Sequence, residues 1–119
     1  MKRRIVITGI GPVTSIGTGK EEFWSSLVNG RSGIARIKNA DSEEWQGIDV
    51  KIAGEVKDFD ISKFFSDPRQ ARSMNKDMDR VTQFAVAAAK LAIEDSKIDF
   101  SKMNTERVST FVGTGIGGM

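Results

Sequence analysis

Two short apolar runs, residues 5–7 and 108–112, are each followed by glycine-rich residues. The first run is Ile-Val-Ile, and Gly9 follows it two residues later. The second run is followed directly by the segment 113–118. A run that is apolar on both faces is typical of a parallel strand covered by helices on each side. We therefore expect two strands, which are parallel and joined by a right-handed crossover if they share one sheet.

Residues 20–29 carry apolar side chains at helical spacing, which predicts a short amphipathic helix. The apolar positions are Phe23, Trp24, Leu27 and Val28. Gly30 follows where the C-terminal cap of a helix belongs. We expect Phe23, Trp24 and Leu27 to pack in the core rather than to bind a ligand.

A longer helix is predicted over residues 78–95, which are rich in good helix formers. Its apolar face consists of Val81, Phe84, Ala88, Leu91 and Ala92. Either Asp77 or Asp79 is a suitable N-terminal cap. Weaker patterns predict short strands within 34–37 and 51–56, a helical turn at 61–65 and a basic helical turn after Pro68. The order of elements predicts an α/β layered structure.

Composition removes several classes of function. The 119 residues are 39% hydrophobic and 29% charged, which suits one soluble domain or part of one. The formal net charge of +2 gives no reason to expect nucleic-acid binding. Cysteine and histidine are both absent, which excludes disulfides, Cys or His zinc sites, and Cys-His or Ser-His-Asp catalysis by these residues alone. The sequence has no apolar run long enough for a membrane span, and we expect a cytoplasmic protein.

Three glycine clusters invite a phosphate-binding interpretation. The cluster after the first strand has Thr14 where a dinucleotide fingerprint needs its third glycine, and the cluster at 18–20 lacks two defining positions of a P-loop. Residues 113–118 do fit G-x-G-x-x-G after a strand. The simpler alternative for each cluster is a loop whose glycines permit a close approach of the backbone.

Five stretches, in this order, resemble the start of the β-ketoacyl-acyl-carrier-protein synthases, the condensing enzymes of fatty-acid synthesis. The stretches are Lys2-Arg-Arg-Ile-Val-Ile-Thr-Gly-Ile-Gly, Phe23-Trp-Ser-Ser-Leu-Val-Asn-Gly-Arg-Ser-Gly-Ile, Ala53-Gly-Glu-Val-Lys-Asp-Phe-Asp, Met78-Asp-Arg with Thr82-Gln-Phe-Ala-Val-Ala-Ala-Ala-Lys, and Gly113-Thr-Gly-Ile-Gly-Gly. The resemblance spans the whole chain but only the opening part of the family's length. It implies a thiolase-like fold, with layered helices around a mixed, partly parallel sheet, in which residues 1–119 are an incomplete N-terminal segment of the N-terminal domain.

The resemblance also implies a chemistry. The family carries out a decarboxylative Claisen condensation, in which a cysteine takes the acyl group and two histidines assist decarboxylation of the malonyl unit. This chain has neither residue type, so we expect no catalytic residue and no condensing activity in the 119 residues alone. The expected partners are acyl carrier protein and a second copy of the full-length protein, with no cofactor, no metal and no nucleic acid.

Two sets of binding residues carry over by resemblance. Gly115, Ile116 and Gly117 match the family's acyl-chain pocket, with Ile116 as the gating side chain. Arg69, Arg72 and Lys76 lie near where the family presents positive charge to the acidic carrier protein. The alternatives left open by the sequence are a core role for Ile116 and a solvated helix face for the three cations. A second class of function also stays open: a small non-catalytic module that either binds a nucleotide through the Gly113 loop or pairs with a condensing enzyme.

Overall fold

The computed structural model describes residues 3–118. Lys2, which belongs to the first family-like stretch, lies outside the described residues. The chain divides into two compact units, one formed by residues 12–59 and the other by residues 3–11 together with 60–118.

The unit of residues 12–59 contains two small antiparallel ladders and one helix. Strand β1 (Val13–Thr14) pairs with β2 (Gly17–Thr18), and the Thr14 hydroxyl donates to the Gly17 carbonyl oxygen at 2.9 Å. Helix α1 (Lys20–Val28) follows, and then β3 (Ala35–Arg36) pairs with β4 (Ile52–Ala53). A 3₁₀ turn at Glu43–Trp45 lies between the last two strands.

Helix α1 begins and ends as its sequence predicts. The Glu22 carboxylate accepts a hydrogen bond from the Thr18 N–H at 2.8 Å, which satisfies a backbone donor just before the first turn. Gly30 adopts φ +64° beyond the last turn and donates its N–H to the Leu27 carbonyl oxygen. The predicted core role of Trp24 is wrong, however, because 61% of this residue is exposed.

The burial of α1 is shifted around the helix from the expected stripe. Ser26 is buried and Phe23 is half-buried, whereas Leu27 is exposed like Trp24. Residues three apart share a helix face, so the buried side of α1 contains positions 23 and 26. Of the predicted apolar residues, only Phe23 lies on that side.

The second unit is built on helices α2 (Pro68–Asp77) and α3 (Arg80–Ser96). A 3₁₀ turn at Ile61–Phe64 packs against both helices, with Ile61 fully buried. Two further 3₁₀ turns follow α3, at Phe100–Lys102 and Thr105–Arg107. None of the helices formed by residues 3–118 combines the length and the apolar character that crossing a membrane requires.

The buried side of α3 differs from the predicted face. Gln83 and Ala87 are the buried residues, while the five predicted apolar residues are half-buried. The Gln83 amide donates to the carbonyl oxygens of Met74 and Met78 at 3.2 and 2.9 Å. It thereby satisfies carbonyls at the end of α2, so the side of α3 that carries Gln83 faces the end of α2.

Residues 9–11 lie against α3, and segment 3–11 forms no strand. The Ile10 N–H donates to the Asp95 carboxylate at 3.1 Å, and Gly11 approaches the α3 backbone at Ala88 so closely that a side chain there would collide with it. Residues 5–7 are nevertheless exposed, with Ile5 at 92%.

Within residues 3–118, the structure does not contain the predicted parallel pair. Neither 5–7 nor 108–112 is a strand, and the ladders seen within residues 3–118 are antiparallel. The physical reason is that a strand needs hydrogen bonds to a neighbouring strand, and neither apolar run lies beside one in the described part of the chain. Phe111 is 93% exposed as a result.

Candidate functional site

The three cations predicted for partner docking lie on one face of α2. Arg69, Arg72 and Lys76 are spaced three and four residues apart, so they follow one another along the helix surface. All three are exposed, whereas Ala71, on another side of the helix, is buried. The helix has three basic residues and one acidic residue, Asp77. The three cations form a basic strip that we call the α2 basic face.

Local sequence explains why α2 forms where it does. Asp67 caps the helix, because its carboxylate accepts the Arg69 N–H at 2.8 Å, and Pro68 occupies the first helical position. Residues 73–77 form the C-terminal half of the helix. They carry Lys76 onto the same face as the two arginines.

The predicted acyl-pocket residues form a loop beside the first turn of α3. Gly117 donates its N–H to the Thr114 hydroxyl at 3.1 Å, and a Cβ at position 117 would come within 2.6 Å of the Val81 side chain. Gly118 has φ +85° and lies near the Asp79 carboxylate. The glycines thus allow the loop to approach α3 closely, as one interpretation of the sequence holds.

Ile116 is 78% exposed and does not belong to a packed core of residues 3–118. No atom lies within 4 Å of a Cβ built on Gly115, so the backbone on one side of Ile116 is open. Residues 113–118 contain no helix of their own, so the helix that a dinucleotide fingerprint requires directly after its glycines is not formed within the described residues.

The α2 basic face and the glycine loop lie in the same unit, and the loop lies beside the residue that begins α3. Asp79 caps α3, accepting the Thr82 N–H and hydroxyl, and it lies next to the loop at Gly118. Lys76 precedes Asp79 by three residues, a distance of at most about 11 Å along the chain. The structure therefore places Lys76, one member of the α2 basic face, close along the chain to the residue that the glycine loop approaches.

A cleft of about 590 Å³ lies in the same unit, and no pattern in the sequence predicted it. It is lined by residues 63–66 on one side and by Lys90, Leu91 and Glu94 of α3 on the other. The Lys90 ammonium lies 4.1 Å from the centroid of the Phe65 ring. No spacing rule connects these two residues, which come from different elements, so only the fold places them together.

The resolved pKa shifts concern carboxylates that cap 3₁₀ turns. Hydrogen bonds from the side chain and backbone of Ser62 hold the pKa of Asp60 below its ordinary value of 3.8. Hydrogen bonds from the Ser101 hydroxyl, Lys102 and the Ser101 backbone lower the pKa of Asp99 likewise. Such groups stabilise turns, and neither offers a general base for catalysis. Residues 3–118 also bring together no cluster of acidic side chains that could hold a metal ion.

The sequence of the chain matches the Beta-ketoacyl synthase, N-terminal domain family over residues 2–119, and the chain belongs to this family. It is similar to proteins named 3-oxoacyl-[acyl-carrier-protein] synthase 2: 39% identical to that of Synechocystis over 99% of the chain, 37% to that of Staphylococcus aureus over 98%, and 36% to that of Vibrio harveyi over 99%. The chain spans 26% of the length of each of these relatives.

A solved structure agrees with the family assignment. The structure described as the ishigamide ketosynthase/chain length factor matches 87% of this chain and 24% of its own, with a TM-score of 0.67 and 38% identity. The predicted family and its thiolase-like ketosynthase fold are thus confirmed, while the predicted parallel arrangement of strands is not tested by this match.

Proposed function

We propose that this chain is the N-terminal segment of a β-ketoacyl-acyl-carrier-protein synthase that elongates fatty acids, working in the cytoplasm as a homodimer. The observation that carries the proposal is the family match over residues 2–119, together with 36–39% identity to proteins named for this activity. In the proposed reaction, a cysteine thiolate holds the growing acyl group as a thioester. Malonyl-carrier protein loses CO₂, and the resulting enolate carbon attacks the thioester carbonyl and releases the thiolate.

The 119 residues contribute binding rather than covalent chemistry to this reaction. They contain no Cys and no His, so the nucleophile and the two imidazoles belong to other residues of the working enzyme. Within the whole protein, we place residues 5–7 and 108–112 in the mixed, partly parallel sheet of the fold. Their apolar sequence and their exposure here support this placement, because neighbouring strands would cover both runs.

The first test is the natural coding sequence around these residues, followed by an assay of the encoded protein. We expect it to encode a cysteine at a strand-to-helix turn and two later histidines. The purified protein should then release CO₂ from malonyl-carrier protein. It should form a 3-oxoacyl product when it is also supplied with carrier protein that bears an acyl group. A protein without that cysteine, or one that releases no product, would overturn the proposal.

We assign Gly115, Ile116 and Gly117 to the acyl-chain pocket. Support comes from the exposed side chain of Ile116 and from the close approach of Gly117 to α3. In the complete enzyme, Ile116→Phe should shorten the longest acyl chain accepted, because the ring occupies space that the fatty tail needs. Product lengths measured by mass spectrometry check this, with Ile98→Phe as the matched control. An unchanged length profile in Ile116→Phe would return Ile116 to a packing role.

We assign the α2 basic face to docking of the acidic carrier protein. Charge complementarity at such a surface mainly raises the association rate and fixes orientation. The double variant Arg69→Glu Arg72→Glu should slow association strongly at low salt and only weakly at high salt. Lys97→Glu, which reverses one charge just beyond α3, is the control. Association rates equal to those of the wild type at low salt would make these cations a solvated face.

A second candidate is a partner subunit that pairs with a condensing enzyme and has no chemistry of its own. It is favoured by a matched structure whose description includes a chain length factor. Co-purification with a separate cysteine-containing synthase subunit would support this candidate against the first.

A further inference from the structure

The cleft between residues 63–66 and α3, which we call the Lys63–Lys90 cleft, has a cationic rim and an aromatic wall. Phe64, Phe65 and Leu91 are half-buried in it, while Lys63 and Lys90 are exposed. Glu94 is the acidic residue of the lining, so two ammonium groups face one carboxylate. An apolar surface edged by positive charge suits a group that combines a carboxylate with a nearby apolar side chain.

Lys90 is held in place by the cleft itself. Its ammonium lies 4.1 Å from the centroid of the Phe65 ring, close enough for a cation–π attraction. The aliphatic stem of a lysine packs on apolar surface while the charged end stays in water. Because the Phe65 ring already restricts this side chain, binding an anion there costs less conformational entropy than binding to a freely rotating lysine.

The cleft adjoins the α2 basic face. Ser66 lines the cleft and precedes Arg69 by three residues, so their Cα atoms lie within about 11 Å of each other. The 3₁₀ turn at Ile61–Phe64, which carries Lys63 and Phe64, packs against both α2 and α3. One protein docked on α2 can therefore reach the cleft without any rearrangement of the unit.

We infer that the Lys63–Lys90 cleft is a second anchor for the acidic carrier protein that docks on α2, an inference that rests on the proposed function. A carboxylate of the partner lies between Lys63 and Lys90, and a neighbouring apolar side chain of the partner packs against Phe65. The α2 basic face attracts the partner over a distance, whereas the cleft, with its partly desolvated wall, slows dissociation.

The test measures binding of purified carrier protein to the purified protein that carries this chain, by biolayer interferometry at low and high salt. Lys63→Glu and Lys90→Glu should each weaken binding about three- to ten-fold at low salt, mainly by faster dissociation. Lys90→Arg keeps both the charge and the contact with an aromatic ring, and should bind as the wild type does. Lys97→Glu is the control for net charge, and melting temperatures verify that each variant is folded.

Two results would overturn the inference while leaving the proposed function in place. One is wild-type binding by Lys63→Glu and Lys90→Glu alongside weakened binding by Arg69→Glu Arg72→Glu. The other is equal weakening by Lys97→Glu, since the loss would then follow net charge rather than position. Wild-type binding by all variants, including Arg69→Glu Arg72→Glu, would instead remove α2 from the docking surface.

Discussion

Gly11 and Gly113 are both glycines next to apolar runs, but their surroundings differ. A Cβ on Gly11 would collide with the Ala88 carbonyl oxygen of α3, whereas a Cβ on Gly113 would meet nothing within 4 Å. Gly11→Ala should therefore lower the free energy of unfolding by about 1–3 kcal/mol, because segment 3–11 must move away from the helix. Gly113→Ala should change it by less than about 0.5 kcal/mol. Urea unfolding of both variants measures the difference, and equal midpoints would contradict the close contact at Gly11.

Asp60 links the stability of the second unit to pH. Because its pKa is held below 3.8 by hydrogen bonds from Ser62, the folded chain binds fewer protons at this site than the unfolded chain does near that pH. Its stabilising contribution is complete above the unfolded pKa and is lost as the pH falls through the folded pKa. Asp60→Asn does not titrate but can still accept the Ser62 N–H, so unfolding free energy should depend less on pH below 3.8 than in the wild type.

Urea midpoints at several pH values between about 2.5 and 5 measure this slope. Ser62→Ala removes the hydroxyl that contributes the largest part of the shift, and its slope should also decrease. A wild-type slope in Asp60→Asn would show that other carboxylates dominate acid unfolding.

The start of α3 is decided by Asp79 rather than Asp77, the two caps that the sequence left open. Asp79 accepts hydrogen bonds from the N–H and the hydroxyl of Thr82, whereas Asp77 lies at the end of α2 and accepts the Ser73 hydroxyl. Asp79→Ala should lower the unfolding free energy by about 0.5–2 kcal/mol. Asp79→Asn should keep most of the wild-type stability, because an Asn side chain can also cap a helix. Asp77→Ala removes a negative charge from a helix C-terminus, where it is unfavourable, so the loss should be smaller. Chemical denaturation of the three variants tests the order.

The helices could be predicted from the sequence because their signals are local. The predicted spans 20–29 and 78–95 differ from α1 and α3 by one or two residues at their ends, and Pro68 correctly marked the start of α2. The buried side of α3 could not be predicted in this way. It depends on Gln83, a polar residue whose burial is stabilised by carbonyl oxygens at the end of another helix.

The candidate site shows the same division between local and non-local information. The basic cluster of Arg69, Arg72 and Lys76 was assigned by resemblance, and α2 places the three cations on one face because they are three and four residues apart. The contact between Lys90 and Phe65 joins residues far apart in the chain, so it required the packing of the 3₁₀ turn against α3. The short strands predicted within 34–37 and 51–56 match β3 and β4. The runs 5–7 and 108–112 form no strand within residues 3–118, because an apolar run indicates burial but does not determine which strand lies beside it.

At the scale of the whole 119-residue chain, the exposed apolar runs predict self-association. Ile7 is 86% exposed and Phe111 is 93% exposed. Both belong to runs that the sequence predicts to be strands. Unpaired, apolar extended segments readily pair with other chains. The 119-residue polypeptide should therefore sediment as oligomers, and Ile7→Lys Phe111→Lys should shift it toward the monomer. Ser109→Lys, a change at a polar position within the second run, should leave the oligomers unchanged. A wild-type chain that sediments as a sharp monomer would contradict the prediction.

The separation of the two apolar runs along the chain also has a consequence during synthesis. Ribosomes produce about 5–20 residues per second, so residues 5–7 emerge roughly 5–20 s before residues 108–112 exist to pair with them. For that interval the nascent chain carries an Ile-Val-Ile segment without the strand partner that we expect for it. A chaperone that binds short apolar segments at the tunnel exit would therefore meet residues 5–7 long before residues 108–112 are made.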